Sequence, residues 1–171
     1  SDYMETKPDI ICLSKALTAG LIPMAITSCT QAIYNAFLSN EMAKGFFHCH
    51  TYSANPIACA TAIAGIELLT STEIQANIKR ITAAHERFAL HIAGHPKVKS
   101  TRHLGVIFAL DLKTKTERYG ALRDMLLKFF MDRGVFLRPL GNTLYIQVPY
   151  IISEVQLKKV YEVIEEALEI V

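Results

Sequence analysis

Three places in the 171-residue chain carry side chains that could do chemistry. The first is Lys15, which follows the apolar run Ile10 to Leu13 by two residues. A short apolar run after Pro8-Asp9 reads as a buried strand, and ligands of open α/β sheets gather at the carboxyl ends of strands. An amine placed there is a usable nucleophile toward a carbonyl when it is held rigidly and partly desolvated. Leu13, Ala16 and Leu17 are the neighbours expected to shield it. The second place is the run His48-Cys49-His50-Thr51. Imidazole and thiolate are common zinc ligands, but adjacent residues of one short loop seldom converge on one ion, and no fourth ligand stands at a standard spacing. No metal site is expected. The third is Arg138, just before the turn-like Pro139 to Asn142. A planar guanidinium grips a carboxylate through two hydrogen bonds, although on spacing alone a surface arginine is the simpler reading.

The elements that must position these groups follow from pattern. Met24 to Cys29, after Pro23, reads as a second strand, and Thr30 to Ser39 as a helix with Ile33, Phe37 and Leu38 on one side. Gly45 to Ser53 is irregular. Asn55-Pro56 then opens a helix with an asparagine cap and a proline in its first turn. Its small residues Ala58, Ala60, Ala62, Ala64 and Gly65 permit close packing on both sides. Thr72 and Gln75 make a capping box for a long helix striped by Ile74, Ile78, Ile81, Phe88 and Ile92, which Gly94-His95-Pro96 stops.

Beyond it, Gly105 to Leu112 predicts a strand and Tyr119 to Asp132 a helix. Val135 to Leu137 and Leu144 to Val148 predict two further strands joined across Pro139 to Asn142. Ser153 and Gln156 cap a last helix striped by Leu157, Val160, Ile164 and Leu168. Residues 1–80 thus read as part of an α/β domain and residues 81–171 as a small α+β domain, with the boundary inside the long helix.

Composition narrows the class. The hydrophobic fraction of 51% and mean hydropathy of +0.24 are high, so apolar surface is expected to be buried against another subunit or a further part of the same protein. No apolar run reaches the roughly 18 residues of a membrane span. The charge of +2 is scattered, without the basic face that nucleic acid requires. Cys12, Cys29, Cys49 and Cys59 form no CxxC pair, which points to a reduced, cytoplasmic setting. The start Ser1-Asp2-Tyr3-Met4 shows no signal-peptide pattern, and its lack of an initiating Met is expected of a cut chain.

The stretch Pro8 to Gly20, continued to Pro23, resembles the lysine motif of the class III, fold-type I, pyridoxal-phosphate-dependent aminotransferases. That family shows Pro-Asp, an apolar strand, the lysine, then a glycine-rich turn and a proline. Here Ala19 replaces one of the usual glycines. His48-Cys49-His50-Thr51-Tyr52 with Asn55-Pro56 is similar to the family's second signature, His-Gly-x-Thr, an aromatic residue and Asn-Pro. Cys49 stands at the glycine, so a positive φ there would carry strain. The segment Arg138 to Asn142, with Tyr145 and Pro149-Tyr150, resembles one subgroup that moves an amino group from S-adenosylmethionine to a keto acid in biotin synthesis.

The resemblance implies that Lys15 carries pyridoxal 5′-phosphate. It implies that His50 and Thr51 position the cofactor, Thr51 through its phosphate and across a homodimer interface. Cys49 lines the substrate site, and Arg138 and Tyr145 meet the carboxylate of the keto substrate. The family's Asp-Glu acid, its phosphate-binding turn and its ring-stacking aromatic fall upstream of Ser1. Asp2, Glu5 and Asp9 do not match that acid. The chain is accordingly expected to be the C-terminal portion of a transaminase, inactive by itself. Another class III enzyme acting on an ω-amino acid or diamine, and a dimerising fragment without chemistry, are the alternatives.

Overall fold

The computed structural model describes residues 5–114 and 120–171. Two compact units meet in sequence between Ser71 and Thr72, where one long helix ends and the next begins. The sequence-based boundary at residue 80 falls instead inside the second of these helices. A continuous helix belongs as a whole to the unit on which its apolar stripe packs.

Unit 1 contains β1 (Ile10–Ser14), β2 (Ala25–Cys29), the short α1 (Gln31–Asn35) and α2 (Pro56–Thr70). Tight 3-10 turns at Lys15–Thr18 and Met42–Lys44 interrupt it. β1 and β2 pair antiparallel, Ile10 opposite Cys29 and Ser14 opposite Ala25. Both strands lie where the sequence puts them, but they are not buried: every residue of both is exposed. A continuous apolar run needs a layer on each face, and among the described residues none covers this ribbon. α1 is also shorter than the helix expected over Thr30 to Ser39.

α2 starts as its sequence dictates. The Asn55 side-chain oxygen accepts from the backbone N–H of Ile57 at 2.9 Å and of Ala58 at 3.4 Å. Pro56 occupies the first turn, where its missing N–H costs nothing. The small-residue face packs on one side only. Ala58 and Ala62 are buried, and a Cβ added to Gly65 would stand 3.2 Å from the Leu17 carbonyl oxygen. Ile57, Ile63, Ile66 and Leu68 remain exposed.

Unit 2 contains α3 (Thr72–Ile92), β3 (Val98–Leu104), β4 (Ile107–Leu112), α4 (Ala121–Asp132), β5 (Thr143–Gln147) and α5 (Glu154–Glu169). Its sheet has the order β3-β4-β5, antiparallel throughout. Side chains alternate between faces. Phe108, Leu110 and Leu112 of β4 therefore join Leu144 and Ile146 of β5 in the core. Phe88 and Ile92 of α3, Leu126 and Phe130 of α4, and Ile164 and Leu168 of α5 complete it. The α5 capping box is formed in both directions, Gln156 N–H to Ser153 Oγ and Ser153 N–H to Gln156 Oε1.

Three details depart from expectation. β3 has no strong apolar alternation, since only Val98 of Val98–Leu104 is buried, and pairing with β4 alone makes it a strand. Val135 and Leu137 are buried but form no strand among the described residues; the segment pairs only through a Leu140–Thr143 bridge. α4 begins at Ala121 after Gly120, and Tyr119, like Asp2, lies outside the described residues.

His85 fills the α3 stripe between Ile81 and Phe88 and is fully buried. One ring nitrogen, Nε2, lies 3.1 Å from the Val106 carbonyl oxygen and donates to it. The other, Nδ1, accepts from the Tyr161 hydroxyl at 2.7 Å. Burial lowers the His85 pKa, against the raising effect of the Val106 carbonyl, and the charge of His103 lowers it further. A neutral imidazole is thus part of the core.

Candidate active site

Lys15 opens the turn directly after β1, and its backbone lies in the left-handed region at φ +53°. Ala19 closes the turn at φ +52° and Gly20 follows at φ +81°. A residue with a Cβ pays roughly 1–2 kcal/mol for that conformation, and such strain persists where surrounding structure enforces it. Here Thr18, 1% exposed, anchors the turn by donating its hydroxyl to the Ile22 carbonyl. The Ser14 hydroxyl donates to the Met24 carbonyl at 3.2 Å, and α2 presses against Leu17 from below. The backbone of Lys15 is therefore fixed. Its side chain is exposed, and its amine has no ion-pair or hydrogen-bond partner among the described residues. Among the described residues the shielding expected from Leu13, Ala16 and Leu17 is not supplied, and Leu13 itself is 48% exposed.

The second group sits on the loop before α2. His50 organises it. Its Nδ1 accepts from the Tyr52 N–H at 3.1 Å, its carbonyl from the Ser53 N–H at 2.8 Å, and its N–H donates to Ser53 Oγ at 3.1 Å. Nδ1 is thus the bare nitrogen and the proton resides on Nε2. Thr51 is exposed, and its hydroxyl has no partner among the described residues. Cys49 is exposed, and its backbone does not enter the left-handed region, so no glycine is required there. The strain expected at Cys49 falls on Ala54 instead, at φ +57°, and on Ala19. Among the described residues no cluster of three or more His, Cys, Asp or Glu side chains is placed to hold a metal ion.

Arg138 and Tyr145 belong to unit 2, whereas Lys15, Cys49, His50 and Thr51 belong to unit 1. The turn Leu140 to Thr143 is closed by Leu140 N–H to Thr143 O at 2.9 Å and the reverse bond at 3.0 Å. Gly141 supplies the φ of +63° that a tight hairpin turn gives to glycine. Through the Leu140–Thr143 bridge this turn links the segment of Arg138 to β5, the strand that bears Tyr145. Val135, Leu137 and Pro139 are buried while Arg138 is exposed; Leu144 and Ile146 are buried while Tyr145 is half-buried. Both residues thus face away from the core.

One residue near this pair escaped the sequence reading. Asp111 of β4 receives the Thr143 hydroxyl at 2.6 Å, Arg102 Nη1 at 2.6 Å and the Ser100 hydroxyl at 2.9 Å. Partial burial pushes its carboxyl up, but the donors Arg102, Thr143 and Ser100 outweigh it and hold the pKa below the ordinary value. The available signal was a single acid inside the otherwise apolar Ile107 to Leu112.

Unit 1 thus offers a strand-end lysine in strained backbone and an exposed hydroxyl on the loop before α2, and unit 2 is a mixed helix–sheet domain. The chain belongs to the class III aminotransferases, matching that family over residues 1–168. Among individual proteins, it is 41% identical over 166 residues to the adenosylmethionine-8-amino-7-oxononanoate aminotransferase of Synechococcus elongatus. That match covers 95% of this chain and 38% of the relative, so the chain spans well under half of that protein's length. The structure of an enzyme of the same name from Methanocaldococcus jannaschii superposes with a TM-score of 0.84 at 28% identity, covering 95% of this chain and 39% of that one. A PLP-bound aminotransferase mutant from Vibrio fluvialis gives 0.84 at 27% identity, over 96% of this chain and 38% of that one.

Proposed function

We propose that the chain is the C-terminal portion of a homodimeric, cytoplasmic transaminase. Its whole enzyme moves an amino group from S-adenosylmethionine to 8-amino-7-oxononanoate, giving 7,8-diaminononanoate in biotin biosynthesis. The observation that carries the reading is Lys15: a bare amine on a fixed, left-handed backbone position at the carboxyl end of β1. The 41% identity to the Synechococcus enzyme supports the choice of substrate.

Pyridoxal 5′-phosphate suits the donors present. Its aldehyde matches a primary amine, and its phosphate matches the unpartnered Thr51 hydroxyl, which donates without adding charge. When bound, it supplies an electron sink for the carbon that bears the amino group. Lys15 Nζ would hold it and, as general base and acid, would carry a proton from the substrate carbon to the cofactor carbon. His50 keeps the loop in register through its three backbone-linked bonds, and Cys49 lines the substrate side of that loop. Arg138 grips the carboxylate of the keto acid with Tyr145 beside it.

In this reading residues 1–71 are the remainder of the cofactor-binding domain and residues 72–171 the small domain. Asp2, Glu5 and Asp9 do not match the family's acid for the pyridine nitrogen, and we assign turnover to the whole enzyme. A class III enzyme for an ω-amino acid or diamine is the alternative, since the family includes other transaminases. Borohydride reduction of the full-length holoenzyme followed by peptide mapping is the test. The pyridoxyl group is expected on Lys15, and a label confined to any other lysine sinks the assignment.

A further inference from the structure

We propose that Asp111 is a positioning residue for the Arg138–Tyr145 pair, acting through Thr143; this rests on the carboxylate-binding reading above. The two oxygens of the Asp111 carboxylate serve different strands. Oδ2 takes Arg102 and Ser100 from β3, while Oδ1 takes Thr143, the first residue of β5. Thr143 is also the last residue of the hairpin turn that follows Arg138, and it precedes Tyr145 by two positions on the same face of β5.

Among the described residues the Arg138 limb of that turn has no ladder of its own beyond the Leu140–Thr143 bridge. Its placement is therefore inherited from the other limb, which is tied to the end of β4. Leu112 N–H donates to the Asn142 carbonyl at 2.8 Å, Asn142 Nδ2 donates to the Leu112 carbonyl at 3.1 Å, and the Thr143 hydroxyl donates to Asp111 at 2.6 Å. The last of these is charge-assisted and short, the strongest class of hydrogen bond available. Asp111 also carries its charge on the same face as Tyr145, whose β4 partner is Ala109. Because Arg102 engages Oδ2, that charge is balanced locally and does not oppose a substrate carboxylate. A guanidinium–carboxylate grip is directional, and small displacements of a positioning group cost rate or affinity out of proportion to their size.

The experiment is a steady-state comparison in the full-length holoenzyme. Thr143→Val, which keeps shape and removes the hydroxyl, is expected to raise KM for the carboxylate-bearing amino acceptor about tenfold. KM for the amino donor stays within about twofold, and Thr143→Ser restores the acceptor KM. Ser100→Ala removes a bond of the same kind from Oδ2; it lowers the melting temperature without moving the acceptor KM. If Thr143→Val does not fold, Thr143→Ala carries the same expectation. An acceptor KM unmoved by loss of the hydroxyl, or raised as much by Ser100→Ala, overturns the proposal. Arg138→Ala separates the two levels. If it leaves the acceptor KM unchanged, the carboxylate reading itself fails. If it raises that KM while Thr143→Val does not, only the role of Asp111 is lost.

Discussion

In the sheet of unit 2, Phe108, Leu110 and Leu112 are exposed by 0%, 0% and 1%; in the ribbon of unit 1, Ile10, Ile11 and Leu13 are exposed by 54%, 40% and 48%. Both are apolar strands in antiparallel pairing. The difference lies in what stands over them. α3, α4 and α5 close one face of the first sheet, whereas the described core of unit 1 contains only Ala58 and Ala62 as fully buried apolar side chains. An apolar strand declares that it requires cover, and it does not say which part of a protein, or which copy, supplies it. Unit 2 meets that requirement internally. In unit 1 the turn bearing Lys15 is well packed, wedged against α2 at Gly65.

The sharpest way to break this comparison is to remove a core ring. Phe108→Ala is expected to lower the stability of unit 2 by about 3–5 kcal/mol, read as a shift in urea midpoint at unchanged slope. A loss under about 1 kcal/mol would mean that unit 2 is no better packed than unit 1.

Next in size is the His85–Tyr161 bond. Tyr161→Phe leaves the buried Nδ1 without a donor, a loss of about 1–3 kcal/mol. The pH dependence has a definite sign. The folded-state pKa of His85 is lowered, so its contribution is complete above the unfolded value of 6.5 and declines as pH falls below it, because the unfolded chain takes up the proton first. Asp111, also lowered, adds a second loss that sets in as pH falls below the unfolded value of 3.8. Stability of unit 2 that rises on acidification from pH 7 to 5 would contradict this arrangement.

Two smaller effects probe unit 1. Ala19→Gly relieves a left-handed backbone and is expected to stabilise the turn by up to about 1 kcal/mol. It should slow amide exchange at Leu21, whose N–H donates to the Thr18 carbonyl. A destabilised turn would show that Ala19 has packing worth more than its strain. Ile10→Ala should change the stability of this chain by about 1 kcal/mol or less, because Ile10 is already 54% exposed. In the full-length enzyme the same change is expected to cost more, and equal effects in both would deny that the ribbon acquires cover there.

Local order was legible where a few adjacent residues decide it: Asn55-Pro56 at the start of α2, Ser153 with Gln156 at the start of α5, and both strands around Lys15. The candidate residues were likewise readable as types, because condensation with an aldehyde requires a primary amine and only a guanidinium grips a carboxylate in a fork. Other features were not readable. β3 exists because β4 offers it a partner, which no property of Val98 to Leu104 announces. His85 sits in a core stripe because Val106 and Tyr161 meet its two nitrogens there.

The sequence by itself determined which segments are helical, which strands flank Lys15 and which side chains could serve a transaminase, since these depend on spacing, caps and functional groups. Tertiary structure alone decided that the strain falls on Lys15, Ala19 and Ala54 rather than on Cys49, and that Asp111 joins three strands beside Tyr145. It also decided that the unit 1 strands are bare. Backbone dihedrals, cross-strand partners and cover are set by contacts between residues far apart in the chain, and the order of residues along it does not contain them.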